Sequence, residues 1–315
     1  MYIFGIDIGG TSVKIGFFND TFHLLEQWEI PTHSNRLFEE IAENIKAYIS
    51  KKKISFEEIF GYGLGIPGMV KNGIATSCVN LGWKNVDVKQ EFNKALGYDA
   101  RVYVFNDANL AALGEASYLN SKWESVIFIT LGTGVGGGII FHQEVIEGAN
   151  GLGGELGHIH IDDKYNFTCG CGKIGCLETL ASATGIVRLA QHYQDKLSSK
   201  LDFSCKLTAK DVIDAAKEND PLASYAFDEA CQALAQAMAN LSVIINPDAF
   251  IIGGGISNAG TFLLERIQKH YLNKCLEQAT HTKINLAVLK NNAGIYGACA
   301  YLIKKKHEVE KNGKC

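Results

Sequence analysis

Short runs of β-branched and aliphatic residues, closed by glycine or proline, alternate along this chain with stretches in which apolar positions recur every three or four residues. Tyr2–Ile8 is such a run and predicts a buried strand. Gly9-Gly10-Thr11-Ser12 predicts a turn, and Val13–Phe18 a second strand, so the pair is a hairpin with a glycine-rich tip. A third strand is expected over Leu24–Ile30, closed by Pro31. Leu37, Ile41, Ile45 and Ile49 fall on one helical face and predict a helix over 36–51. Residues 59–65 read as a buried strand ending in the loop Gly65-Ile-Pro-Gly68. A helix over 88–96, a strand over 101–105 and a helix over 108–118 capped by Asn106-Asp107 complete the segment. The order β, β, β, α, β, α, β, α describes an α/β domain with a mixed sheet.

The pattern then begins again. Ser125–Leu131 predicts a strand, Gly132–Gly138 a glycine-rich turn, and Ile139–His142 a further strand. Helices are expected over 179–199, 208–218 and 221–246, and a strand over 249–252 ends in Gly253-Gly254-Gly255. A helix over 260–275, a strand over 284–289 and a final helix over 293–306 follow. The repeat of strand, glycine turn and strand predicts two related α/β domains around a cleft. The expected division is a small domain over 1–119, rejoined by the C-terminal helix within 293–315, and a larger one over 120–292. The join falls near 119–123, where a hinge is expected.

The length of 315 residues suits two domains. A formal net charge of −4 gives no basic excess to attract nucleic acid or acidic lipid. Lys304-Lys305-Lys306 reads as a solvated helix end. No run approaches the roughly 20 apolar residues that span a bilayer, and no signal-peptide pattern precedes the first strand. Of nine cysteines only three cluster; Cys78, Cys205, Cys231, Cys275, Cys299 and Cys315 are scattered. That distribution suits reduced thiols, hence a cytoplasmic chain.

The clustered cysteines belong to Cys169-Gly-Cys171-Gly-Lys-Ile-Gly-Cys176-Leu-Glu178, which follows Glu155-Leu-Gly-His158. Three thiolates and one imidazole complete a tetrahedral zinc shell with no open position, so the metal is expected to be structural. His158 is the expected fourth ligand, with His160 as rival. Glu155 and Glu178 are either surface charges beside the metal or acceptors for sugar hydroxyls, since each carboxylate accepts two donors. Asp7-Ile-Gly9-Gly10-Thr11 is either a plain turn or a nest of backbone N–H groups for phosphate, with Asp7 holding a magnesium-bound water. It is not a P-loop, because no Gly-Lys-Ser/Thr follows. With the second glycine hairpin, Gly132 to Gly138, it would clamp a triphosphate. Gly253 to Gly255 either pack a helix start or lie against a base or ribose. Asn106-Asp107 ends a strand, and Asp107 is either a helix cap or a general base.

Taken together, these motifs resemble the ROK family (repressor, open reading frame, kinase) of bacterial sugar kinases, over nearly the whole chain. The resemblance implies an actin-like ATPase (ribonuclease H-like) fold, ATP with magnesium as phosphoryl donor, structural zinc and a homodimer. It implies Asp107 as the base that deprotonates the acceptor hydroxyl. Gly68, Val79, Asn80, Asn106, Glu155, His158 and Glu178 would bind the sugar. Asp7, Gly9, Gly10, Thr11 and Lys14, with Gly132, Thr133, Gly134, Gly136, Gly137 and Gly138, would hold the phosphates, and Gly253, Gly254 and Gly255 the adenosine. His158, Cys169, Cys171 and Cys176 would bind zinc. Glu155 and Asn80-Leu-Gly-Trp83 resemble the family's glucokinases and make glucose the first expected substrate, with N-acetylmannosamine or N-acetylglucosamine as rivals. Family repressors carry a helix-turn-helix before the Asp-x-Gly-Gly-Thr motif, which here starts at Asp7. A catalytically silent sugar-binding regulator is the non-enzyme alternative. A zinc hydrolase fits the closed ligand set poorly.

Overall fold

The computed structural model describes residues 1–120 and 122–312. The chain divides into two compact units: Met1–Lys122, Val145–Gly153 and Asn291–Cys315 form one, and Trp123–Glu144 and Gly154–Lys290 the other.

The first unit opens with β1 (Tyr2–Ile8), β2 (Ser12–Asn19) and β3 (Leu24–Pro31), followed by α1 (Leu37–Lys52). Next come β4 (Ile59–Ile66), β5 (Met69–Lys71), β6 (Ile74–Cys78), β7 (Trp83–Asp87), α2 (Val88–Leu96), β8 (Val102–Asn106) and α3 (Asp107–Leu119). The main sheet runs β3-β2-β1-β4-β8, antiparallel through the first three strands and parallel from β1 to β8. Pro31 is tolerated because β3 is an edge strand. Phe4, Ile6 and Ile8 point to the face covered by α1 and α2, where Ile41, Ile45 and Phe92 complete the core.

The other face of β4 is lined by glycines. Tyr2 pairs with Ile59 and Ile3 with Gly61, so Phe60 is an extra residue that turns over to join Ile3. From there Gly61, Gly63 and Gly65 alternate with Tyr62, Leu64 and Ile66, which enter the core. The missing side chains make room for the C-terminal helix: a methyl on Gly63 would lie 2.7 Å from Ala298 Cβ.

The second unit begins with β9 (Val126–Leu131), β10 (Val135–Phe141) and β11 (Glu144–Val145), the last ending at the crossing into the first unit. Then come α4 (Glu178–Ala181), α5 (Ala183–Tyr193), α6 (Ala209–Lys217), α7 (Pro221–Ile245), β12 (Ala249–Gly253), α8 (Thr261–Leu272) and β13 (Lys283–Leu286). Its sheet order, β11-β10-β9-β12-β13, repeats that of the first sheet, with antiparallel strands followed by parallel ones. After β13 the chain returns to the first unit as α9 (Ala293–Asn312).

Two local expectations are corrected, and two features of the fold stand beside them. The glycine turn spans only 132–134, because Gly136, Gly137 and Gly138 are already paired in β10 with Thr130, Ile129 and Phe128. The single helix expected over 179–199 breaks at Ser182, whose extended backbone and hydroxyl cap α5 through the Gly185 N–H. The small antiparallel sheet β5-β6-β7 was not anticipated, since its strands are short and mostly polar on one side. The segment 145–153 joins the first unit, where Lys71 Nζ donates to the Ala149 carbonyl at 2.6 Å. Among the described residues no helix is long and apolar enough to cross a membrane.

Candidate active site and metal centre

The first unit places its carboxylates at the C-terminal ends of the parallel strands, where α/β sheets expose functional groups. Asp7 is the penultimate residue of β1, and Asp107 opens α3 directly after β8. Gly65 of β4 sits next to both: a methyl there would lie 3.4 Å from Asp7 Oδ1 and 3.5 Å from Asp107 Cα. Asn106 is the helix cap, its Oδ1 accepting from the Asn109 N–H at 3.1 Å. Asp107 Oδ1 accepts from the Ala108 N–H at 2.8 Å. Capping therefore falls to Asn106. Asn106 also donates from Nδ2 to the Gly68 carbonyl at 3.1 Å, which ties the Gly65–Gly68 loop to the base of α3.

Burial pushes the Asp7 carboxyl up, the Asp107 charge pushes it further, and Lys14 pulls it partly back, leaving it at about 7 instead of the usual 3.8. The folded chain thus binds this proton more tightly than the unfolded chain. Stability from Asp7 is fully present below about pH 4 and is lost as pH rises towards 7. With no divalent cation added, Asp7→Asn is expected to melt progressively higher than the parent as pH goes from 5 to 8. The gain is a few kcal/mol, at about 1.36 kcal/mol for each pH unit between the two pKa values. A melting difference independent of pH would contradict this assignment.

Lys14 pairs across the hairpin with Asp7. Its ammonium is engaged by the Asn291 carbonyl at 2.8 Å and by Glu29 at 3.2 Å, so it anchors the entry to α9. The hairpin tip is tight, with the Gly9 N–H donating to the Ser12 carbonyl at 2.9 Å and Gly10 and Thr11 exposed. Thr32, which sequence reasoning missed, clamps the tip from β3's end: its N–H donates to the Thr11 carbonyl and its hydroxyl to the Gly9 carbonyl. Exposed Asn80 lies in the turn Val79–Leu81, its Cβ 3.9 Å from where a methyl on Gly10 would sit. The side chain of Val79 lies outside the described residues.

In the second unit, His158, Cys169, Cys171 and Cys176 bring their donor atoms within 4.8 Å of one another. His158 Nδ1 is 3.5 Å from Cys169 Sγ, and Cys171 Sγ is 3.7 Å from Cys176 Sγ. A tetrahedral zinc with bonds near 2.3 Å to sulfur and 2.0 Å to nitrogen sets such pairs roughly 3.5–3.8 Å apart. The donor set therefore fits zinc in both chemistry and spacing. His160 stands outside it, facing Asp163 at 3.4 Å.

Glu178 connects this knot to the β9–β10 hairpin. Its Oε1 lies 3.6 Å from Cys169 Sγ, and its Oε2 accepts the Val135 N–H at 3.0 Å. Gly134 is required there, because a methyl would meet Glu178 Oε2 at 2.2 Å. The hairpin is braced again by Ala183 N–H on the Gly132 carbonyl and Thr184 Oγ1 on the Thr133 carbonyl. Gly137 lets the Leu156–His158 turn close over β10, since a methyl would meet Leu156 Cδ1 at 2.5 Å. Glu155 and His158 are exposed at that turn. Gly253 and Gly254 pack against the Phe128 ring and the Leu131 carbonyl, whereas Gly255 faces open space.

A family model described as ROK family matches residues 3–306. A glucokinase of Halalkalibacterium halodurans is 37% identical, over 98% of this chain and 97% of the relative. An N-acetyl-D-glucosamine kinase of Pasteurella multocida is 31% identical, over 96% and 99%. The crystal structure of a ROK family glucokinase from Streptomyces griseus, in complex with glucose and AMPPNP, superposes with a TM-score of 0.72 at 29% identity. It covers 96% of this chain and 99% of that one.

Proposed function

The chain belongs to the ROK family, and from that premise we propose that it transfers the γ-phosphoryl group of ATP to a hexose, with glucose as first substrate and glucose 6-phosphate as product. The observation that carries this reading is the pair Asp7 and Asp107 beside Gly65 at the strand ends, on a chain similar throughout to glucokinases. Asp107 takes the proton of the sugar hydroxyl as its oxygen attacks the γ-phosphorus. The bond from that phosphorus to the bridging β–γ oxygen breaks, and ADP leaves.

In the same reading, Gly68, Val79, Asn80 and Asn106 of the first unit and Glu155, His158 and Glu178 of the second bind sugar hydroxyls. His158 ligates metal through Nδ1 and donates from Nε2, a division that second-shell bonding commonly fixes. Gly9, Gly10 and Thr11, with Gly132, Thr133 and Gly134, present backbone N–H groups to the phosphates. Lys14 and Gly136 to Gly138 support these hairpins from behind. Gly255 has the room to approach the adenosine, and Gly253 and Gly254 hold it in place by packing. Magnesium, when bound, would neutralise phosphate charge and hold Asp7 ionised. Zinc in the closed His158 and cysteine set supplies position alone. A homodimer in the cytoplasm, without nucleic-acid or membrane partners, completes the proposal; the net charge of −4 leaves no basic excess to draw the chain to nucleic acid or acidic lipid.

The test is a coupled ADP-release assay over hexoses and N-acetylhexosamines. The expected result is the highest kcat/KM with glucose. A preference for N-acetylglucosamine or N-acetylmannosamine would move the substrate assignment. No ADP release with any sugar would replace the enzyme by a sugar-binding regulator.

A further inference from the structure

We propose that Cys78 is a positioning residue for the sugar site, a staple joining the Gly65–Gly68 loop to the Val79–Leu81 turn. The inference rests on the kinase reading above and extends it to a side chain that reading does not use. Cys78 ends β6 and is only 1% exposed. Its thiol donates to the Pro67 carbonyl at 3.1 Å. Burial pushes that thiol up and the Asp107 charge pushes it further, while the backbone amides of Leu81 and Asn80 act on the sulfur in the opposite direction. Cys78 immediately precedes the Val79–Leu81 turn, so its thiol links the start of that turn to the Pro67 carbonyl.

The packing is as specific as the hydrogen bond. A methyl on Gly68 would lie 2.8 Å from Cys78 Cβ and 2.4 Å from the Ser77 carbonyl oxygen, so the loop rests directly on β6. The Gly68 carbonyl in turn receives Asn106 Nδ2. A continuous path thus runs from Asn80 through Cys78, Pro67 and Gly68 to Asn106, the cap of the helix that begins with Asp107. Both hydrogen bonds of the path run from a side chain to a loop carbonyl, Cys78 Sγ to Pro67 and Asn106 Nδ2 to Gly68, so the loop is held at Pro67 by the donor at position 78.

Cys78→Ala removes the donor and keeps the fold of β6. Its KM for glucose is expected to rise three- to tenfold, the scale of one lost hydrogen bond. KM for ATP and the melting temperature are expected to change little. Cys78→Ser restores a donor and an acceptor and is expected to recover most of the sugar KM. Melting and ATP KM are read on the same samples, so a general loss of folding is separated from a local one. Unchanged sugar KM in Cys78→Ala, or a defect that Cys78→Ser fails to relieve, overturns the staple. A parent protein that phosphorylates no hexose overturns the kinase reading instead.

Discussion

Asp107→Asn is expected to lower turnover by roughly 10²–10⁴-fold while sugar affinity stays within about threefold. The substitution is isosteric, and an amide oxygen accepts the Ala108 N–H as the carboxylate does. Asn106 keeps capping α3, so the helix that carries residue 107 does not depend on the change. What is lost is the ability to take a proton at the moment the sugar oxygen attacks phosphorus. The loss of charge also relieves part of the pressure on Asp7, whose pKa is expected to fall in the variant because the Asp107 charge is one cause of its rise. Turnover is read by ADP release and sugar binding by calorimetry. A variant with near-parental turnover would remove Asp107 as the base.

Cys171→Ser is expected to lower the melting temperature by about 5 °C or more, with loss of bound zinc and a rise in KM for both sugar and ATP. The Cys171 side chain is exposed, and an exposed substitution away from special features stays within about 0.5 kcal/mol. A large effect therefore requires the metal, whose binding is coupled to folding. Both substrates are affected because Glu178 joins the knot to the hairpin, lying against Cys169 on one side and accepting the Val135 N–H on the other. Metal analysis, melting curves and kinetics with each substrate varied make the test. Parental melting together with parental kinetics would sink the structural zinc.

Much of this was legible along the chain. The run Tyr2–Ile8, its glycine turn and Val13–Phe18 declare a hairpin because apolar strand residues and glycine turns leave a local mark. The candidate metal cluster His158, Cys169, Cys171 and Cys176 stands out along the chain for the same reason: thiol spacing and chemistry are local properties. His160 could not be set aside in that way, because it has the same side chain two residues later. Only its position opposite Asp163 excludes it from the cluster. The glycines of 136–138 read as turn along the chain for a related reason. Glycine marks both an exposed turn and a strand that something must lie against, and Leu156 over Gly137 decides between them.

Most element types, the repeated strand–turn–strand plan and the residue chemistry of the His–Cys cluster and the acidic motifs are written in the chain. Those follow from periodicity, backbone preference and ligand type, which act over a few residues. The folded chain alone decided that Asn106 Nδ2 ties the Gly68 carbonyl to the base of α3, that Lys14 is held by Asn291, and that Glu178 ties the His–Cys cluster to Val135. It also decided that Asp7 titrates at about 7, because burial and the Asp107 charge act through space between positions far apart in the chain. Those pairings depend on which strands neighbour each other and how closely helices approach them, and no local pattern in the chain encodes that distance.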